Sequence, residues 1–186
     1  MPIPVLSNLD YGLVPLITTT ANCENTTAQV NIVSVQIPAG FLDVGDVIVI
    51  EANMQRRQNA GGNATLTNRL LIDTTVLNAP AGTTIGNAAT TTFMVQRIKM
   101  HVTSVNSTTV GLQVFPNTVT TPSQEAIYMA LGVTSITFGA STTSVIGNVT
   151  TANAAVINLS AQWSVQNANT WVRVITAQGH IIKKAT

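Results

Sequence analysis

Charge is what this sequence has least of. Asp, Glu, Lys and Arg make up 8% of its 186 residues, where about 25% is usual for a soluble domain. Eight basic and seven acidic residues leave a formal net charge of +1. A lone soluble monomer normally carries more charge to stay dispersed. The balance gives no electrostatic case for nucleic acid or an anionic membrane as a partner. No apolar stretch approaches the ~20 residues that a membrane-spanning helix needs. The opening Met1-Pro2-Ile3-Pro4 lacks the basic region and long apolar run of a secretion signal.

The side chains of catalysis are scarce too. A single cysteine, Cys23, excludes an intrachain disulfide. As a nucleophile it would need a His brought from elsewhere in the chain. The two histidines, His101 and His180, fall on separate strands. His101 shares a polar phase with Arg97 and Lys99, so a solvated face is expected for it, and likewise for His180. The carboxylates are Asp10, Glu24, Asp43, Asp46, Glu51, Asp73 and Glu125. Asp43 and Asp46 flank Gly45 in a turn, where Asp side chains bond nearby backbone N–H groups. A calcium loop needs more oxygen ligands at closer spacing. There is no P-loop and no GxGxxG, and Gly61-Gly62 is a turn with no helix after it. Arg56-Arg57 reads as a solvated loop and Lys183-Lys184 as a solvated tail. No catalytic residue, no metal site and no cofactor is therefore expected.

Thr and Asn take the place of charge, at 29 and 17 residues. Thr suits strands because its β-branch packs on a pleated surface. A surface so neutral fits a Thr/Asn-rich secreted or viral exterior, and equally one that is largely covered by protein contacts; the two are compatible.

Strand signals run through the chain. Val30 and Ile32, then Val33, Val35 and Ile37, alternate with polar residues. The phase slips once between Ile32 and Val33, as a β-bulge causes. Val47 to Ala52 is almost continuously apolar, as in a strand covered on both faces. Asn59 to Asn63 is a turn, and 78–90 reads as a loop. Ala64, Leu66, Leu70 and Ile72 mark one strand face, with Thr65, Thr67 and Arg69 on the other. Met94, Ile98, Met100 and Val102 lie on the apolar phase of a long strand from Thr91 to Val105. Asn106-Ser107 turns into Val110–Phe115, and 116–124 is a loop. Thr134–Phe138 and Ser144–Val149 are weaker strands. Ala155 to Val165 alternates cleanly, with Trp163 on the apolar phase and so in the core. Trp171–Ala177 is expected to return as its hairpin partner, with a short strand His180–Ile182 after Gly179. The only helix candidate is 123–131, with Ser123 as its N-cap.

About eight to ten strands without βα alternation predict an all-β fold, an antiparallel jelly-roll sandwich. Residues 1–28, interrupted by Pro2, Pro4 and Pro15, read as an extended N-terminal arm with one short strand, Leu13 to Ile17. Residues 29–186 form the jelly-roll domain.

Three segments, IPAGFLDVGDVIVIEA (37–52), GGNATLTNRLLID (61–73) and VINLSAQWSVQNANTWVRVITAQGHIIKK (156–184), resemble a jelly-roll module of tailed-bacteriophage virion proteins. The resemblance covers about residues 30–184. It rests on structural motifs and carries no catalytic residues. It implies a virion protein of the capsid decoration, head-fibre or tail-fibre type, commonly a trimer. The lack of a repetitive stalk and the short arm favour a compact capsid-associated protein. The expected partners are further copies of the chain and other virion proteins such as the major capsid protein, with no nucleic acid and no membrane. A second reading is a receptor- or glycan-binding module. Its mark would be exposed aromatics on loops near 53–63, 78–90 or 116–124, with Trp171 as a contact. A third, a polysaccharide-degrading enzyme, is opposed by the shortage of acids and histidines.

Overall fold

A computed structural model describes residues 12–78, 83–105, 110–114, 145–147 and 154–184. Among these residues there are thirteen strands and no helix. They are β1 (Leu13–Leu16), β2 (Thr18–Thr20), β3 (Cys23–Glu24), β4 (Val30–Ile37), β5 (Val47–Gln58), β6 (Ala64–Ile72), β7 (Thr75–Asn78), β8 (Thr83–Ile85), β9 (Ala88–Val105), β10 (Val110–Val114), β11 (Val145–Gly147), β12 (Ala155–Trp163) and β13 (Trp171–Ile182). The helix expected at 123–131, the strand at 134–138 and the loop at 116–124 lie outside the described residues. The expected loop 78–90 holds β8 and the start of β9.

The strands form two antiparallel sheets packed as a sandwich, so the all-β expectation holds. The long sheet has the order β1-β13-β5-β9-β10-β11, with β3 also paired to β13. The second sheet runs β2-β4-β12-β6-β7, with β8 also on β6. Within the long sheet β13, β5, β9 and β10 stand in the 4-1-2-3 order of a Greek key. Between β5 and β9, however, the chain visits the second sheet.

Period-two alternation explains which faces meet. Ile48, Ile50, Ala52 and Met54 of β5 point inward, as do Ile98, Met100 and Val102 of β9. Opposite them stand Ile157, Leu159, Ala161 and Trp163 of β12 and Ala64, Leu66, Leu70 and Ile72 of β6. Each fully buried aliphatic side chain contributes roughly 1.5–3 kcal/mol relative to exposure. The phase slip in β4 is a real bulge: Leu159 pairs with Val33 and Ser160 with Asn31, leaving Ile32 as the extra residue. Both Ile32 and Val33 are thereby buried. In β5, Ile48, Val49 and Ile50 are all buried, as the continuous apolar run requires.

Two expectations of pairing are corrected. The segments around Trp163 and Trp171 do not form a hairpin. β12 pairs with β4 and β6, whereas β13 pairs with β1, β3 and β5. Residues 164–170 thus carry the chain across the sandwich, because both strands have an apolar face to bury and each finds it against the opposite sheet. Nor does Gly179 separate two strands; β13 runs unbroken through it.

The expected arm is described from residue 12 onward, and there its own domain holds it. β1 lies along β13 and β2 along β4. The chain therefore steps from one sheet to the other at Ile17 and closes that side of the sandwich. Gly179 sits at this step. A Cβ there would lie 2.5 Å from Val35 Cγ1 and 3.3 Å from Thr18 Oγ1. Its N–H donates to Thr18 Oγ1 at 3.0 Å. A side chain at 179 would push the two sheets apart.

Gly179→Ala should therefore cost about 1–3 kcal/mol through overpacking. Adding Val35→Ala removes the obstructing methyls, so the double variant should lose less than the two single losses summed. Urea denaturation of the four proteins measures the coupling; strict additivity would show that the close approach is not what constrains position 179.

Candidate functional site on the outer face of the long sheet

The outward phase of the long sheet is built by β13, β5 and β9 in register. Gln178, Glu51 and Arg97 stand abreast, then Thr176, Asn53 and Val95, then Arg173, Gln55 and Phe93. The first two rows are tied laterally. Gln178 Nε2 donates to Glu51 Oε2 at 2.6 Å. Arg97 Nε lies 2.7 Å from Glu51 Oε1, an ion pair by distance although its N–H is not aligned for a hydrogen bond. Asn53 Nδ2 donates to Thr176 Oγ1 at 2.8 Å.

The register of β13 on β5 shifts between Val174 and Thr176. Ile175 is the extra residue, and this bulge turns it outward, 52% exposed. Beside the bulge lies a groove of about 170 Å³ lined by Glu51, Asn53, Thr176, Ala177 and Gln178. Phe93, two strands away, is 44% exposed. The face thus joins neutral amides and hydroxyls, internally paired charge and two large exposed apolar side chains.

The outer face of the second sheet is polar and hydrogen-bonded too, but among the described residues its central strands β4, β12 and β6 carry no large exposed apolar side chain. Ser34 Oγ donates to Asn158 Oδ1 at 2.7 Å, and Asn158 Nδ2 to the Asp73 carbonyl at 3.3 Å. Arg69 Nη1 donates to Gln162 Oε1 at 2.7 Å and to Gln29 Oε1 at 3.1 Å. Asn158 and Ser160 are buried beneath this network.

His101 and His180 share the outer face of the long sheet, in adjacent rows and two strands apart. Strand spacing puts their Cα atoms roughly 12 Å apart. Both are half-buried. Among the described residues no group of three or more His, Cys, Asp or Glu could hold a metal ion. Trp163 is in the core as expected. Trp171 is buried as well, because the Arg173 guanidinium stacks 4.4 Å above its ring and pairs with Glu24 at 2.7 Å. Residues 53–58, expected near a binding loop, belong to β5.

The two basic doublets are corrected. Arg56-Arg57 is no solvated loop: both end β5, and Arg56 faces inward at 3% exposure. Gln58, Asn68 and Gln96 are buried on inward phases too, and each follows the alternation of its strand. Alternation, not residue type, sets which side of the strand they occupy.

Lys183 is no free tail either. Its Nζ donates to Asp43 Oδ2, Asp46 Oδ2 and the Phe41 carbonyl, each at 2.7 Å. The buried Asp46 also accepts the N–H of Asp43 at 2.8 Å and of Lys184 at 3.0 Å. The turn that carries it needs Gly45 at φ 97°, packed against Lys184. Burial pushes the Asp46 carboxyl up, but Lys183 and the backbone donors outweigh this and hold it below its ordinary value. Burial pulls Lys183 down, and Asp43 and Asp46 more than reverse it. The backbone-bonding role expected for Asp43 and Asp46 thus falls to Asp46, and the cluster pins the end of β13 to the start of β5.

Cys23 is fully buried, with Sγ 3.6 Å from the Ala161 carbonyl it donates to. Burial pushes its thiol up, as does the nearby Glu24; a backbone hydrogen bond from Trp163 lowers it but does not offset them. It therefore bridges the two sheets as a small core side chain.

No known protein family, curated protein or solved structure matches the chain.

Asp46→Asn should destabilise the fold by about 2–3 kcal/mol, less than a fully buried pair because Lys183 is partly exposed. For Asp46 the folded pKa is lowered, so its contribution is present above the unfolded value near pH 4 and is lost as pH falls through the folded value. For Lys183 the folded pKa is raised, so its contribution is full below about pH 10.4 and is lost as pH rises past the folded value. Thermal melts from pH 2 to 11 should show the wild type losing stability at both extremes and Asp46→Asn with a flatter acid limb. A thiol reagent should leave native Cys23 unmodified and react in step with urea unfolding; fast reaction of the native protein would contradict the buried bridge.

Proposed function

We propose that this chain is a structural subunit of a tailed-bacteriophage virion, of the capsid-associated decoration or head-fibre type. It works by packing against copies of itself and against neighbours such as the major capsid protein. The observation that carries this reading is how the fold disposes of its few charges. Glu51, Glu24, Asp43 and Asp46 pair with Arg97, Arg173 and Lys183 within the chain. The outer faces are dominated by hydroxyls, amides and exposed apolar side chains, with charges mostly paired or bonded to amides. Such a surface is poorly suited to standing alone in water and well suited to close contact. The Greek-key order in the long sheet is in keeping with a jelly-roll winding, and the three phage-like segments supply the virion assignment and the trimer. The function is mass contact, without bond chemistry. The receptor- or glycan-binding alternative is weakened at Trp171, whose ring lies under Arg173.

Light scattering on the purified chain should give a multiple of 19.5 kDa, three copies on this reading. Antibodies raised against it should decorate intact phage heads in electron micrographs. A monomer at all concentrations, with no labelled particle, would overturn the proposal.

A further inference from the structure

We infer that the groove beside the bulge in β13 is a self-recognition site, which receives Phe93 of a second copy of this chain. The inference rests on the homo-oligomeric reading above and specifies the surface. A groove of about 170 Å³ and an exposed aromatic ring occur on the same face of one sheet. They sit roughly 12 Å apart, one and a half strand spacings across and about three residues along. Each copy gives one ring and receives one, which suffices to close a cyclic assembly, a trimer included.

Three features point to another copy as the occupant. The first is size. β5 and β13 are both 12 residues long. With β9, of 18 residues, three strands abreast make a face on the order of 600 Å², at the lower end of what each partner buries in a standard interface. The second is charge. The carboxylate lining the groove, Glu51, is already neutralised by Arg97 and capped by Gln178. An apolar ring entering there strands no unpaired carboxylate, and the ladder of Asn53 and Thr176 stays bonded beneath it. The third is contrast with the other sheet. There, among the described residues, the central strands β4, β12 and β6 leave no large apolar side chain exposed. On the long sheet Phe93 and Ile175 stand out from the face, as the apolar anchors of interfaces do.

The test is light scattering and sedimentation of the full chain with Phe93→Glu, Thr176→Arg and a control, Thr67→Arg, on the outer face of the second sheet. Thermal melts establish that each variant folds. Phe93→Glu and Thr176→Arg should weaken assembly about tenfold or more, while Thr67→Arg assembles as the wild type does. If the wild type assembles and both long-sheet variants assemble equally well, the groove assignment is overturned and the oligomeric reading stands. A wild type that stays monomeric at every concentration removes both.

Discussion

Two sheets face each other across an interior that only alternating side chains can fill, and everything else in the molecule is arranged around that contact. β5 and β12 are its centre. Each is flanked on both sides by other strands, and each turns an apolar row toward the other. Packing at this spacing tolerates neither voids nor extra methyls. That is why Gly179 meets Val35 without a Cβ, and why Ile32 bulges out of register so that both it and Val33 are buried. The outer faces are free to differ because the inner faces fix the register.

The fold handles its few charges in keeping with that constraint. Asp46 is buried at the start of β5, and a charge placed there without a partner would open the end of the sandwich. Lys183 and two backbone N–H groups supply the compensation. Other ion pairs, Glu24 with Arg173 and Glu51 with Arg97, lie on the outer face of the long sheet. There they steady neighbouring strands and leave the surface close to neutral. The face that results can be brought against another protein with little charge to desolvate.

Much of the fold was legible in the sequence because side-chain phase is a local property. The bulge at Ile32 and the core position of Trp163 follow from period-two alternation, the doubly covered run in β5 from its unbroken apolarity, and the turn at Asn59 to Asn63 from its glycines and asparagines. Partner choice is not local. The clean pattern of β12 followed by Trp171–Ala177 looks like a hairpin, yet the two strands belong to different sheets. Alternation says which face is apolar but not which sheet will cover it. Arg56 differs for the opposite reason: its residue type marks a surface position, but its phase in β5 points inward, and phase prevails. The candidate site was hardest to see. Its groove comes from a bulge at Ile175, where the apolar phase slips from Val172 and Val174 to Ala177 and Ile181, but its rows join strands distant in the chain, which no local pattern announces.

The position of β13 has a consequence for how the protein comes into being. The last described strand is inserted between β5 and the first ones, β1 and β3. The bond from Gly179 to Thr18 joins residues 161 apart in sequence. Contacts of such high order form slowly. On the ribosome, β1 and β3 have no strand to pair with until residues 171–182 emerge, and β5 presents a bare edge for the same interval. Folding of the long sheet is therefore completed only after nearly all of the described chain has been synthesised. Until then the nascent chain exposes the kind of unpaired strand edge that invites association with other chains.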